Sequence, residues 1–178
     1  MTTVLALLTL LTLPSGPGLD VIDRIMAVVG TRPITLSEVV GVLQFDLIPV
    51  PSTTPDRRGY ALDRLIDRTL MLTEVDRFQP PEPDPIEITI RVDAMEKRAG
   101  SAAALERALA VTGMTRDQLR RFVRDSLRID TYQNQRFGTL IDPTERASAT
   151  ASWIAELRRR AQITMFYRPA GSTRGSSR

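Results

Sequence analysis

The sequence predicts a mainly α protein carrying one small antiparallel sheet, and three observations lead there. In residues 60–78, Leu62, Leu65, Ile66, Leu70, Val75 and Phe78 recur at near three- and four-residue intervals, the spacing of one helix face. Helix starts are marked at Thr35 with Glu38, at Thr115 with Gln118, and at Asp142-Pro143, the first two as capping boxes and the third as an N-cap followed by a proline at the first helical position. Finally, a β-rich run at 21–29 meets the turn signal Gly30-Thr31, and a second run at 162–167 follows the last helix. A two-stranded hairpin is marginal in water and needs a third strand or a packed helix, and the two runs are expected to share one sheet. Ile163, Met165 and Tyr167 would then lie on one face and Thr164 and Phe166 on the other.

The 178 residues suffice for one domain with its own core. The chain has no cysteine and no histidine. That inventory excludes disulfides, thiolate chemistry, His-ligated zinc and serine–histidine triads, and no catalytic, metal or cofactor site is expected. The net charge of +3 comes from Arg168, Arg174 and Arg178; without them 21 basic residues stand against 21 acidic ones. A charge balanced in this way argues against a nucleic-acid partner, which wants a concentrated basic patch.

Taken in order, residues 1–18 read as a signal peptide. A short apolar run at 4–13, too short to span a bilayer, ends at Pro14-Ser15-Gly16-Pro17-Gly18. The chain is therefore expected to be exported, with no stable membrane span. Residues 19–168 form one domain, and 169–178 a disordered basic tail. After the hairpin, whose return strand is kept short and edge-like by Pro33, a helix uses Val39, Val40, Leu43 and Leu47 as its apolar face. Proline-rich connectors follow at 49–59 and 79–85.

Met71 and Leu72 widen the stripe of 60–78, so that helix should be covered on more than one side, with Asp63, Arg64, Asp67, Arg68, Asp76 and Arg77 mostly off it. Ile86, Ile88, Ile90 and Val92 alternate as in a strand, yet the continuation to Ala99 and Gly100 is helical. Ser101 and Gly113 bound the next helix. The one after it turns Leu119, Phe122, Val123 and Leu127 inward, and repeats Arg116, Arg120, Arg124 and Arg128 along one side, a row read as a solvated face. The last helix would use Ala147, Ala151, Ile154, Leu157 and Ala161, with Trp153 beside the stripe and Arg158, Arg159 and Arg160 set against the helix dipole.

The runs VIDRIMAVVGTRPITLSEVV at 21–40, YALDRLIDRTLMLTEVDRF at 60–78, GMTRDQLRRFVRDSLRIDTYQNQ at 113–135 and ASWIAELRRRAQI at 151–163 together resemble the chaperone core of SurA-type periplasmic chaperones. The resemblance covers about residues 20–167. It implies a helical SurA-like core whose sheet joins an N-terminal hairpin to a C-terminal strand. It also implies binding of unfolded polypeptides, among them outer-membrane proteins in transit. In that family parvulin-type prolyl isomerase domains lie between the two parts of the core; this chain has neither the room nor a histidine for one, so the resemblance implies no enzyme.

Such a core needs a groove of adaptable apolar groups. The candidates are Phe45, Leu47, Ile48, Val50, Met71 and Met114, because the stretch 45–50 is apolar and runs into prolines where no regular ladder can bury it. Tyr132 and Phe137 are further aromatic candidates. Two other readings stand beside this one: an exported interaction subunit with a single fixed partner, and a nucleic-acid binder using the arginine row.

Overall fold

β1 (Ile25–Val29) and β2 (Arg32–Thr35) pair antiparallel about Gly30, whose φ of +60° suits a residue without Cβ. This computed structural model describes residues 23–168. The expected signal at 1–18, Val21 and Ile22 of the β-rich run, and the tail from 169 lie outside the described residues. β1 starts at Ile25, later than the run suggests, because the preceding residues brace a helix instead. Arg24 offers its carbonyl to the Leu36 N–H at 2.8 Å, and Asp23 accepts from the Ser37 N–H at 3.1 Å and from the Ser37 hydroxyl.

β3 (Ile163–Met165) pairs antiparallel with the other side of β1, giving the order β2-β1-β3. Pro33 sits on an edge strand, where its missing donor does no harm. The strand is shorter than the expected 162–167. At Phe166 and Tyr167 both N–H groups turn to one acceptor, the Met26 carbonyl, at 2.9 and 3.0 Å. The expected common face is broken too: Ile163 and Tyr167 are half-buried, whereas Met165 is 51% exposed.

α1 (Leu36–Gln44) opens with the complete capping box of Thr35 and Glu38. It closes by a left-handed residue, Asp46 at φ 49°, with the Leu47 N–H reaching back to the Val42 carbonyl at 3.0 Å. This is a Schellman ending, so Leu47 lies beyond the helix rather than on its face. α2 (Arg57–Phe78) is the central element, meeting β1, β2, α1, α5 and α6. It buries Ala61, Leu62, Leu65, Ile66, Leu70, Leu72 and Val75, and each large aliphatic side chain among them contributes about 1.5–3 kcal/mol. Asp67 departs from expectation: it is buried within the same helix.

α3 (Pro85–Ala99) takes Asp84 as its cap and Pro85 as its first residue, which decides the ambiguous alternation for helix. Ile88 and Val92 turn to α5, leaving Ile86 and Ile90 exposed. α4 (Ala102–Thr112) runs from Ser101 to Gly113. α5 (Arg116–Phe137) carries the second capping box, and α6 (Pro143–Arg160) is capped by Asp142. The core has three parts. The largest joins the sheet, α1, α2, the end of α5 and α6; the others are Ile88, Val92, Val123 and Leu127, and Leu105, Leu109, Met114 and Leu119.

The arginine row is not a solvated face. Arg116 binds Glu106 and Glu96, and Arg124 binds Asp125. Arg128 is buried, bonded to Asp76 at 2.8 Å and facing Glu82 of the proline-rich connector at 3.3 Å without an aligned hydrogen bond to it. It pins that connector to α5. α6 is likewise rotated from its expected face. Trp153 and Leu157 are buried while Ala147 and Ala151 are exposed, because the indole is drawn to the Tyr132 and Phe137 rings, with centroids at 5.6 and 5.9 Å.

Candidate functional site

The rotation of α6 leaves its small-residue side uncovered and opens a depression beside α2. At one end Ile141, Pro143, Ala147, Ala151, Ile154 and Ala155 line a space of about 730 Å³, rimmed by Arg64, Arg146 and Arg158. Ile141 is 92% exposed there. At the other end Leu47, Ile48, Met71, Phe122, Ile129 and Ile154 line about 360 Å³. Arg64, Asp67 and Ile154 line both ends, so the two adjoin across α2.

Local structure sets each wall. The Schellman ending of α1 directs Leu47 and Ile48 back over the core, where they stay half-buried because the connector they enter cannot pair its backbone. Met71 lies on the outer edge of α2, its sulfur 3.2 Å from Nε2 of Gln133. Met is unbranched and polarisable, a side chain that adapts to differing contacts.

The floor between the ends is ionic. Asp67 is only 3% exposed; its carboxylate takes Nε of Arg158 at 2.5 Å and Nη2 of Arg64 at 3.1 Å. Arg158 also donates to Asp63, to the carboxylate at 2.7 Å and the carbonyl at 3.0 Å. Burial lowers the pKa of Arg158, but its bonds to Asp67 and Asp63 outweigh this and raise it. Burial raises that of Asp63, yet bonds from Arg64 and Arg158 hold the carboxyl below its ordinary 3.8. This ionic cluster latches α6 to α2.

The expected site residues therefore divide. Leu47, Ile48 and Met71 come together in the depression. Val50 is half-buried and lines neither end of it. Phe45 points elsewhere, into a space of about 380 Å³ with Met95, Arg98 and Ala108. Met114 is a correction: it is buried among Leu105, Leu109 and Leu119, and its methyl fills the room left by Gly41, where a Cβ would collide with it. Tyr132 is buried in the main core, with Phe137 packed against it.

Ile141, Ile154, Arg64, Asp67 and Arg158 were not singled out as site residues. The spacing of Asp63 and Asp67, four apart on a helix opposite an arginine-rich last turn, is the signal that could have found the latch. No protein-family model and no curated protein matches the chain. No helix among the described residues is long and apolar enough to cross a membrane.

Arg158→Ala is expected to cost roughly 2 kcal/mol at neutral pH. That is below the 3–5 kcal/mol for breaking a buried pair, because Arg158 is partly exposed and Arg64 remains. A carboxyl whose folded-state pKa is depressed lends stability that is present above its unfolded pKa and lost as pH falls through the folded value. Asp63 thus contributes fully above about pH 4, and that contribution is lost progressively as pH falls further, through its depressed folded value. Melting curves from neutral to acid pH should show a shallower acid loss in Arg158→Ala than in the parent; parallel losses would deny the latch this role.

Proposed function

We propose that the chain is a non-enzymatic, periplasmic chaperone core of the SurA type, binding apolar segments of unfolded exported polypeptides. The observation that carries this reading is the pair of adjoining depressions across α2, with Leu47, Ile48 and Met71 in one and Ile141 and Ile154 in the other. Its lining suits weak, sequence-tolerant contact. Aliphatic and thioether groups give area without direction, and the alanines of α6 let a foreign backbone approach closely. An outer-membrane protein in transit exposes such apolar segments.

A client surface and a core residue respond differently to the same change. With Leu47 and Ile48 both replaced by serine, suppression of aggregation of a denatured porin should fall severalfold. Because both are half-buried, the loss of stability should stay below the 2–5 kcal/mol per site typical of large-to-small changes at fully buried positions. Thermal melting and light scattering on one preparation read both quantities. Unchanged suppression per folded molecule, with a collapsed melting temperature, returns these residues to the core. Crosslinking in cells separates this function from that of a subunit with one fixed partner, by yielding many unfolded clients rather than one folded one.

A further inference from the structure

A second cavity, opening elsewhere on α2, is built for different chemistry. It holds about 340 Å³ among β2, α1, α2 and the first half of α5. Its apolar wall is Val42, Leu65, Met114 and Phe122, the first three buried and so fixed in place. Three guanidinium groups converge on it, Arg32, Arg68 and Arg121, against two carboxylates, Glu38 and Asp125.

The two acids are already engaged. Glu38 accepts the Thr35 N–H at 3.2 Å in the cap of α1 and lies 3.5 Å from Arg32. Asp125 is bonded by Arg124 at 2.7 Å. Arg68 and Arg121 form no ion pair among the described residues. Arg68 is held in place by neutral groups alone: it donates to the Phe122 carbonyl at 2.7 Å and to the Ser126 hydroxyl at 3.0 Å, and lies 3.8 Å from the Phe122 ring centre. Burial lowers its pKa to about 10 against the opposing pull of the Asp125 carboxylate, and the like charge of Arg32 adds to the lowering; at neutral pH it stays cationic. A fixed, partly desolvated guanidinium beside an apolar wall has donors to spare and no carboxylate in contact with it, although Asp125, Asp130 and Glu38 lie near enough to act on its charge.

We propose that this cavity binds a small organic monocarboxylate with an aromatic or branched apolar body. Its carboxylate lies between Arg68 and Arg121, and its body rests against Val42, Leu65, Met114 and Phe122. The planar fork of a guanidinium matches two carboxylate oxygens. Of the two cations without an ion pair, Arg68 already feels the carboxylates Asp125, Asp130 and Glu38, so less than two full positive charges remain to be balanced, which fits a monoanion better than a phosphate dianion. The site is separate from client binding, although Arg68 and Phe122 stand in the wall between the two.

The test uses the full chain with methyl-labelled methionine and three probes: 3-phenylpropionate, its neutral amide, and inorganic phosphate. The carboxylate should shift the Met114 methyl resonance, saturate at submillimolar to millimolar concentration and raise the melting temperature; the amide and phosphate should do neither. Arg121 is exposed, so Arg121→Met should fold normally and bind about tenfold to a hundredfold more weakly, the loss of a charge-assisted hydrogen bond. Its porin suppression should be unchanged, since Arg121 does not line the client depression. Arg68→Met should abolish the Met114 shift. Equal binding of the amide, an unchanged affinity in Arg121→Met, a shift at Met71 instead of Met114, or no binding at millimolar ligand each overturns the proposal.

Discussion

Trp153→Ala is expected to destabilise the protein by about 3–5 kcal/mol, the range for removing a large buried aromatic, and to lower its melting temperature by on the order of 10 °C. The indole is 7% exposed. It is the middle of a run of rings: Phe78 on Tyr132 at 5.4 Å, Tyr132 on Trp153 at 5.6 Å, Phe137 on Trp153 at 5.9 Å. Those rings join the end of α2, the end of α5 and the middle of α6. The Arg136 guanidinium lies 5.6 Å from the indole and covers it from solvent. Trp153→Phe keeps an aromatic face for Tyr132 and should recover more than half of the loss. Circular dichroism is the right measurement, because Trp153 is the chain's single tryptophan and fluorescence vanishes with it. A melting temperature for Trp153→Ala within a few degrees of the parent would mean that α6 is held by the ionic latch alone.

The second large effect is expected from ending the chain after Ala161. This removes β3 and returns β1 to a hairpin with a naked edge. The Gly30 N–H loses the Gln162 carbonyl at 2.8 Å, and Asp56, the cap of α2, loses the Tyr167 hydroxyl at 2.9 Å. The remaining hairpin keeps its packing on α2 but loses the third strand, the other of the two supports a hairpin can have, so Met26, Ala27 and Val29 should become accessible from the open edge of β1. Amide exchange at residues 25–35 should accelerate to near the rate of an unfolded chain, while α3 and α4, whose cores lie apart, keep their protection. Hairpin amides that stay protected in the truncated chain would show that β3 only decorates the sheet.

Helix limits were legible because their chemistry is local. Thr35 with Glu38, Thr115 with Gln118, and Asp142 before Pro143 each satisfy backbone donors within four residues, so no distant contact is needed to place them. The pairing of the two chain ends was legible from the instability of a hairpin by itself. The choice between equivalent surfaces was not. The alanine side and the Trp153–Leu157 side of α6 are both apolar enough to face inward, and rings on another helix decide between them.

Asp67 resembles any surface carboxylate until Arg158, far along the chain, arrives to neutralise it. Met114 looked adaptable and accessible, but the vacancy at Gly41 that swallows it is a matter of two elements meeting. At the candidate site, composition picked out Leu47, Ile48 and Met71, whereas the α6 half of the depression exists only through the helix rotation.

The sheet also fixes an order of events. β1 at Ile25–Val29 has one of its two partners much further along the chain, at Ile163–Met165, so the central strand stays half-paired until that segment is present. A nascent chain can form α1, α2 and the α3–α4 pair from local contacts, but the slow step left over is closure of a very long loop. Until then the β3-facing edge of β1 is open to any extended segment nearby, including a neighbouring copy of the same chain, and the arrival of β3 is what withdraws that edge from intermolecular pairing.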